Sequence, residues 1–246
     1  MATYKTKAII LSSYPYREHD RIISFFSDSF GRIEARARGI RKIQSKLAGH
    51  LEPFIETELL LANGRRWDIL AGSRTINANA AIRQDFERTA AASVCVEAVK
   101  RITKPLSREH GLYELLRSIL HKLEKEDLSA RKQELTVKFL WHLVSLSGFA
   151  PELDHCINCK KESKTGSFSY EGGGILCQNC ANRDVFAASV NQDILNQLKE
   201  RHQTLALETQ NIITTFWNRI IEAPLGSWNF FQEVYKSPHL ENKSAG

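Results

Sequence analysis

Four cysteines in two Cys-x2-Cys pairs, Cys156 with Cys159 and Cys177 with Cys180, constrain this chain more than any other feature. The seventeen residues between the pairs fit the spacing of tetrahedral structural zinc. In a reducing compartment such pairs hold a metal far more often than a disulfide. Each pair is expected to form a tight turn whose backbone N–H groups point at the sulfurs, with Gly172, Gly173 and Gly174 permitting the sharp approach to the second turn. Lys160 and Lys161 are placed to offset the negative charge of four thiolates around Zn²⁺. A catalytic zinc keeps one position open for water, whereas four thiolates fill the shell, so one structural zinc per chain is expected. His155 and Glu162, which flank the first pair, read as solvated loop residues.

Periodicity divides the rest. From Thr3 to about Arg83, apolar runs such as Ala8-Ile9-Ile10-Leu11, Ile22-Ile23-Ser24-Phe25-Phe26 and Glu58-Leu59-Leu60-Leu61 alternate with turn signals, which predicts short strands. Ser27-Asp28-Ser29-Phe30-Gly31 joins two of these runs, and Asn63-Gly64 predicts a two-residue hairpin before Trp67-Asp68-Ile69-Leu70. About five strands of this kind leave exposed edges unless the sheet closes, so a small barrel of the oligonucleotide-binding (OB) type is expected.

Beyond Gln84 apolar positions recur at helical spacing. Helices are expected near Phe86 to Ile102, Glu109 to Glu126 and Arg131 to Ser147, then near Gln192 to Lys199 and Glu208 to Ile221. Phe139-Leu140-Trp141 and Phe216-Trp217 read as their core, and Cys95, on the apolar stripe of the first, as a small buried hydrophobe. The expected class is α+β: an OB-fold nucleic-acid-binding barrel (1–80), an all-helical domain in two parts (81–150 and 184–235), a four-cysteine zinc-finger insert (151–183) and a disordered tail (236–246).

Charge concentrates in the barrel. The formal net charge is +6, and residues 1–80 alone carry an excess of five basic side chains, the footprint expected for a polyanion. Period-2 alternation from Gly31 to Gly39 puts Arg32, Glu34, Arg36 and Arg38 on one face and Ile33, Ala35 and Ala37 on the other. Arg41, Lys42 and Lys46 continue the charge into a loop, and Arg65 and Arg66 occupy the tip of the second hairpin. These eight basic residues are the candidate phosphate contacts; with Arg36 and Arg38 both pointing outward, reversing the two charges is expected to leave the fold intact. The bland alternative is a solvated strand face. Tyr14, Tyr16 and Trp67 lie nearby and suit either base stacking or packing, Trp67 leaning towards the structural role.

Other classes lose support. No G-x-x-x-x-G-K-[ST], H-E-x-x-H or G-x-S-x-G pattern occurs, so the usual signatures of nucleotide hydrolysis and acyl transfer are missing. No apolar run approaches the roughly 18 residues of a membrane span, and Met1 to Lys5 lacks a signal-peptide core, so a cytoplasmic protein is expected.

With these pieces in order, the chain resembles the bacterial RecO family of recombination and repair proteins over nearly its whole length. The residues that carry the likeness are Ala8-Ile9-Ile10-Leu11 with Arg17-Glu18-His19-Asp20-Arg21, Phe30-Gly31-Arg32-Ile33 running to Ala37-Arg38-Gly39-Ile40-Arg41, and Leu51-Glu52-Pro53-Phe54. Further on come Gly148-Phe149-Ala150-Pro151-Glu152-Leu153 before the first Cys pair, Gly173-Gly174-Ile175-Leu176 before the second, and Pro224-Leu225-Gly226-Ser227-Trp228, with Gly226 where a basic residue is more usual. The resemblance implies a nucleoid-associated mediator without catalytic residues that grips single- and double-stranded DNA and anneals complementary strands. It also implies the partners RecR and RecF, the acidic tail of the single-strand-binding protein SSB, and help in loading RecA onto SSB-coated DNA. Two rivals stand beside it: a zinc-dependent nucleic-acid enzyme, which needs an open metal position and a neighbouring carboxylate, and an adaptor that binds only proteins.

Overall fold

The computed structural model describes residues 2–42, 49, 51–107, 111–125, 132–200, 204–222 and 224–236. They divide into two compact units, Met1–Ser129 with Gly226–Gly246, and Ala130–Leu225.

The first unit opens with five strands: β1 (Thr3–Tyr16), β2 (Asp20–Ser27), β3 (Gly31–Ala37), β4 (Glu56–Ala62) and β5 (Asp68–Asn77). They close as a barrel in the order β1-β2-β3-β5-β4, the five-stranded OB-like closure expected from the sequence. Closure works because β1 is long enough for two partners. Thr3 to Ile9 pair with β4, Ala8 to Tyr16 pair with β2, and an irregularity between Ile10 and Ser12 re-aims the strand between them. A short parallel contact, Ala35 with Asp68 and Arg36 with Ile69, seals the seam between β3 and β5. Ala8, Ile10, Ile23, Phe25, Ile33, Ala35, Ala37, Leu59, Leu61 and Leu70 fill the interior.

The β4–β5 connection departs from the expected two-residue hairpin. Ala62 pairs with Ile69, so the connection is wider than Asn63-Gly64. Asp68 organises it by accepting the Gly64 N–H at 3.2 Å and the Tyr4 hydroxyl. Gly64 is required for a different reason from a tight turn: a Cβ there would sit 1.9 Å from the Trp67 carbonyl oxygen.

Among the described residues four helices belong to this unit: α1 (Ala80–Gln84), α2 (Phe86–Ile102), α3 (Leu112–Lys125) and, far along the chain, α7 (Gly226–Lys236). α2 has the expected bounds. Asp85 caps it by accepting the Arg88 N–H at 2.7 Å, and it ends at Thr103, before Pro105. Its run of Ala, Val and Cys95 is buried, and burial pushes the Cys95 thiol pKa up, which keeps it an inert small hydrophobe. α7 is anchored on α2 by one carboxylate. Glu97 accepts the Gly226 N–H at 3.1 Å, the Ser227 N–H at 2.8 Å and the Ser227 hydroxyl at 2.6 Å, capping the first turn of α7. A Cβ at Gly226 would meet that carboxylate at 3.9 Å, an ordinary contact.

The second unit packs α4 (Lys132–Val144), α5 (Gln192–Lys199) and α6 (Leu207–Ile220) with a three-stranded sheet of β6 (Gly166–Ser169), β7 (Gly174–Cys177) and β8 (Ala188–Val190), in the order β7-β6-β8. After α4 comes a π-helical turn, Ser145–Phe149, with the left-handed Gly148 inside it. Phe168 of β6 joins Trp141 of α4 and Phe216 of α6, with ring centroids 6.4 and 5.2 Å away. The Cys-bearing insert therefore has an apolar anchor of its own.

Candidate metal centre and nucleic-acid interface

The four cysteines converge. Their sulfurs all lie within 4.8 Å of one another, and Cys159 Sγ stands 3.7 Å from Cys177 Sγ. A tetrahedron of metal–sulfur bonds of about 2.3 Å has edges of about 3.8 Å, whereas a disulfide needs about 2.05 Å, so the spacing fits a metal and not a bond between sulfurs.

Backbone geometry holds the two knuckles. The Cys156 N–H donates to the Lys161 carbonyl at 2.8 Å, the Lys160 N–H to the Cys156 carbonyl at 2.9 Å with Lys160 left-handed at φ +62°, and the Cys180 N–H to the Cys177 carbonyl at 2.8 Å. Burial pushes the Cys156 thiol up, yet the backbone N–H groups of Cys159, Cys177 and Asn158 outweigh it and bring the pKa down to about 6. Asn158 also donates its side-chain amide to Cys180 Sγ at 3.2 Å. Cys156 is thus predisposed to thiolate, the form a metal takes. Gly174 lets the second knuckle close on the first, because a Cβ there would lie 2.6 Å from Ile157 Cγ2 and 2.7 Å from the Glu152 carbonyl oxygen.

The candidate DNA contacts separate into committed and uncommitted side chains. On β3 the alternation is as expected, with Ile33, Ala35 and Ala37 buried and Arg32, Glu34 and Arg36 facing out. Arg36, however, is an internal partner. Its Nε and Nη2 reach Asp20 Oδ2 at 2.7 and 2.5 Å, and Asp20, only 7% exposed, also accepts the Gly39 N–H at 2.8 Å. That N–H, with Arg36 adding to it, holds the Asp20 carboxyl below the usual carboxylate range against the opposing effect of burial. The expectation that Arg36 and Arg38 can be reversed together without touching the fold is therefore corrected. Arg36→Glu would place a second carboxylate against a buried one. Arg32 is engaged as well, donating to the Lys100 carbonyl at 2.7 Å.

Arg38, Arg41, Lys42 and Arg65 are exposed, and Arg41 donates to the Glu18 carbonyl at 3.2 Å. Arg66 lies over the Trp67 ring at 4.3 Å, while Lys46 falls outside the described residues. Trp67 meets Tyr16 edge-on at 4.9 Å and donates its indole N–H to Glu34 at 3.2 Å; Arg17 and Arg36 stand over Tyr16 at 5.4 Å. The β3–β5 register puts Trp67, one residue before Asp68, beside Glu34. Arg32, Arg65 and Arg66 line one open groove of 580 Å³ with Trp67, whereas Arg36, Arg38, Arg41 and Lys42 do not. Sequence reasoning missed Asp20, quoted only as part of a resemblance, and Leu106, which forms another wall of that groove.

Residues 1–79 match the family described as Recombination protein O N terminal, and residues 83–218 the family described as Recombination protein O C terminal. The DNA repair protein RecO of Dehalococcoides mccartyi strain 195 is 36% identical over 181 residues, covering 73% of this chain and 70% of its own. That of Cutibacterium acnes is 36% identical over 185 residues, 73% of this chain and 75% of its own. The RecO of Thermoanaerobacter sp. is 26% identical over 247 residues, 95% and 99% of the two chains.

Proposed function

We propose, from the premise that this chain belongs to the RecO family, whose curated members are named DNA repair proteins, that it acts in DNA repair as a DNA-binding mediator. It grips single and double strands through the barrel, anneals complementary strands, and assists RecA loading onto SSB-coated DNA together with RecR, with RecF and the SSB tail as further partners.

The observation that carries this reading is the exposed basic set Arg38, Arg41, Lys42, Arg65 and Arg66 on the barrel unit, of which Arg66 lies over the Trp67 ring. Guanidinium and ammonium groups neutralise phosphates without reading bases. Two strands held on such a surface lose much of their mutual repulsion and pair by their own complementarity. No covalent step is needed, and the protein is not an enzyme in this reading. The four thiolates supply every corner of a tetrahedron, so Zn²⁺ held by Cys156, Cys159, Cys177 and Cys180 serves structure.

The test is a salt titration by fluorescence anisotropy on a labelled single strand and its duplex, followed by an annealing time course. Neutralisation of about 4 single-strand phosphates gives a slope of log affinity against log salt of roughly −3, and annealing faster than the spontaneous reaction is expected. A chain that binds neither form at low salt would leave the protein-only adaptor as the better reading.

A further inference from the structure

The groove beside Trp67 contains a feature that phosphate binding does not use. Leu106 is 73% exposed and left-handed, with φ +58°, a conformation that a bulky side chain rarely adopts. It is not a frayed end. Its N–H donates to the Arg32 carbonyl at 2.9 Å, and Pro105 bridges to Arg32, so the segment after α2 is clamped on β3. Strain held in place by hydrogen bonds, with the apolar side chain left in water, is characteristic of functional sites.

Leu106 lines the same groove as Trp67, Arg65, Arg66, Glu34 and Asp68. The Trp67 ring is fixed by Arg66, Tyr16 and Glu34, so it is a preset wall and not a mobile one. Arg65 and Arg66 supply positive charge for a phosphate. The carboxylates of Glu34 and Asp68 do the opposite: they repel phosphate, and Glu34, with one oxygen on the Trp67 indole, can accept with the other an N–H group such as the amino and imino donors on a base edge. A volume of 580 Å³ lies within the range of small-ligand sites.

Resting on the DNA-binding reading above, the geometry points to this groove as a pocket for an unpaired, unstacked base, with Leu106 the apolar wedge that keeps the base from returning to its neighbours. Apolar wedges of this kind separate base steps in other nucleic-acid binders, and an aromatic wall stacks any base. A base paired in an intact duplex cannot reach the aromatic wall, so duplex DNA does not use the pocket. The pocket therefore favours single strands at one position of the bound chain without reading sequence.

The experiment compares the full chain with Leu106→Asn, which tolerates the left-handed backbone but removes the apolar knob, and with Leu106→Gly, which also relieves the strain. Affinities for a single strand and its duplex are measured at one salt concentration, with melting temperatures alongside. Both variants are expected to lose roughly tenfold in single-strand affinity and to keep duplex affinity, while Leu106→Gly melts at a higher temperature than the parent. Unchanged single-strand affinity, or an equal loss on both substrates, overturns the wedge and leaves the DNA-binding reading standing. A parent chain that binds neither substrate overturns that reading and the wedge with it.

Discussion

Arg36 grips Asp20 through two of its nitrogens, and the same Asp20 holds the Gly39 backbone, so one carboxylate ties the start of β2 to the end of β3 and to the turn beyond it. The pair follows from register: Ile22 opposes Arg36 and Arg21 opposes Ala37, which leaves Asp20 level with the arginine's reach. Asp20→Asn keeps the shape but removes the charge, and is expected to cost on the order of 2 kcal/mol by urea unfolding at neutral pH. The Asp20 carboxyl titrates below its ordinary value in the folded state, so its contribution is complete above the unfolded pKa of about 3.9 and disappears as pH falls through the lower folded one. The gap between parent and variant should therefore narrow below about pH 4. A gap that persists unchanged into acid would assign the effect to shape.

Charge reversal for DNA binding belongs at Arg38 and Arg65, which are exposed and, among the described residues, show no ion pair. Arg38→Glu with Arg65→Glu is expected to flatten the salt slope by roughly 1 to 2 units and to weaken binding alike on two unrelated oligonucleotides, since phosphate contacts carry no base information. Circular dichroism should match the parent. A folded double variant with parental affinity and slope would restore the reading of these side chains as ordinary solvated charge.

Metal analysis of protein purified without chelator should return about one zinc per chain. Stripping it is expected to expose the knuckles 154–163 and 177–183 to hydrogen exchange while the Phe168 anchor keeps β6 protected. A stoichiometry far below one with the fold unchanged would remove zinc from the account.

Gly174→Ala forces a methyl group to within 2.6 Å of Ile157 and 2.7 Å of the Glu152 carbonyl oxygen. The strain is expected to cost about 1 to 3 kcal/mol and to speed zinc loss to a competing chelator. Gly226→Ala, whose nearest contact is 3.9 Å, serves as the control and should melt within a degree or two of the parent.

Legibility in the sequence followed the range over which each feature is encoded. The convergence of the four cysteines was legible because two local pairs specify it, and the outward face of β3 because alternation needs only one strand. α2 and α5 were legible to the residue, since Asp85 and Pro105 bracket the first and Asn191 caps the start of the second. α1, five residues long, and the three short strands around the cysteines are too brief to show a period. The Asn63-Gly64 signal misled because Asp68, four residues beyond Gly64, captures its N–H and opens the loop. Nothing local could show that Arg36 belongs to Asp20 or that Leu106 is left-handed, because both depend on chain segments meeting across the barrel unit.

The carboxylate of Glu97 has a consequence in time. Its partners on α7 lie 129 and 130 residues further along the chain, with the whole second unit in between. At translation rates of 5 to 20 residues per second, Glu97 emerges from the ribosome on the order of ten seconds before the N–H groups it will cap. The barrel strands and α2 can assemble in that interval, but the apolar side of α2 that α7 covers must wait. Truncations before Gly226, and stalled nascent chains of that length, are thus expected to present an incompletely clothed α2 to chaperones, a vulnerability that ends only when α7 arrives.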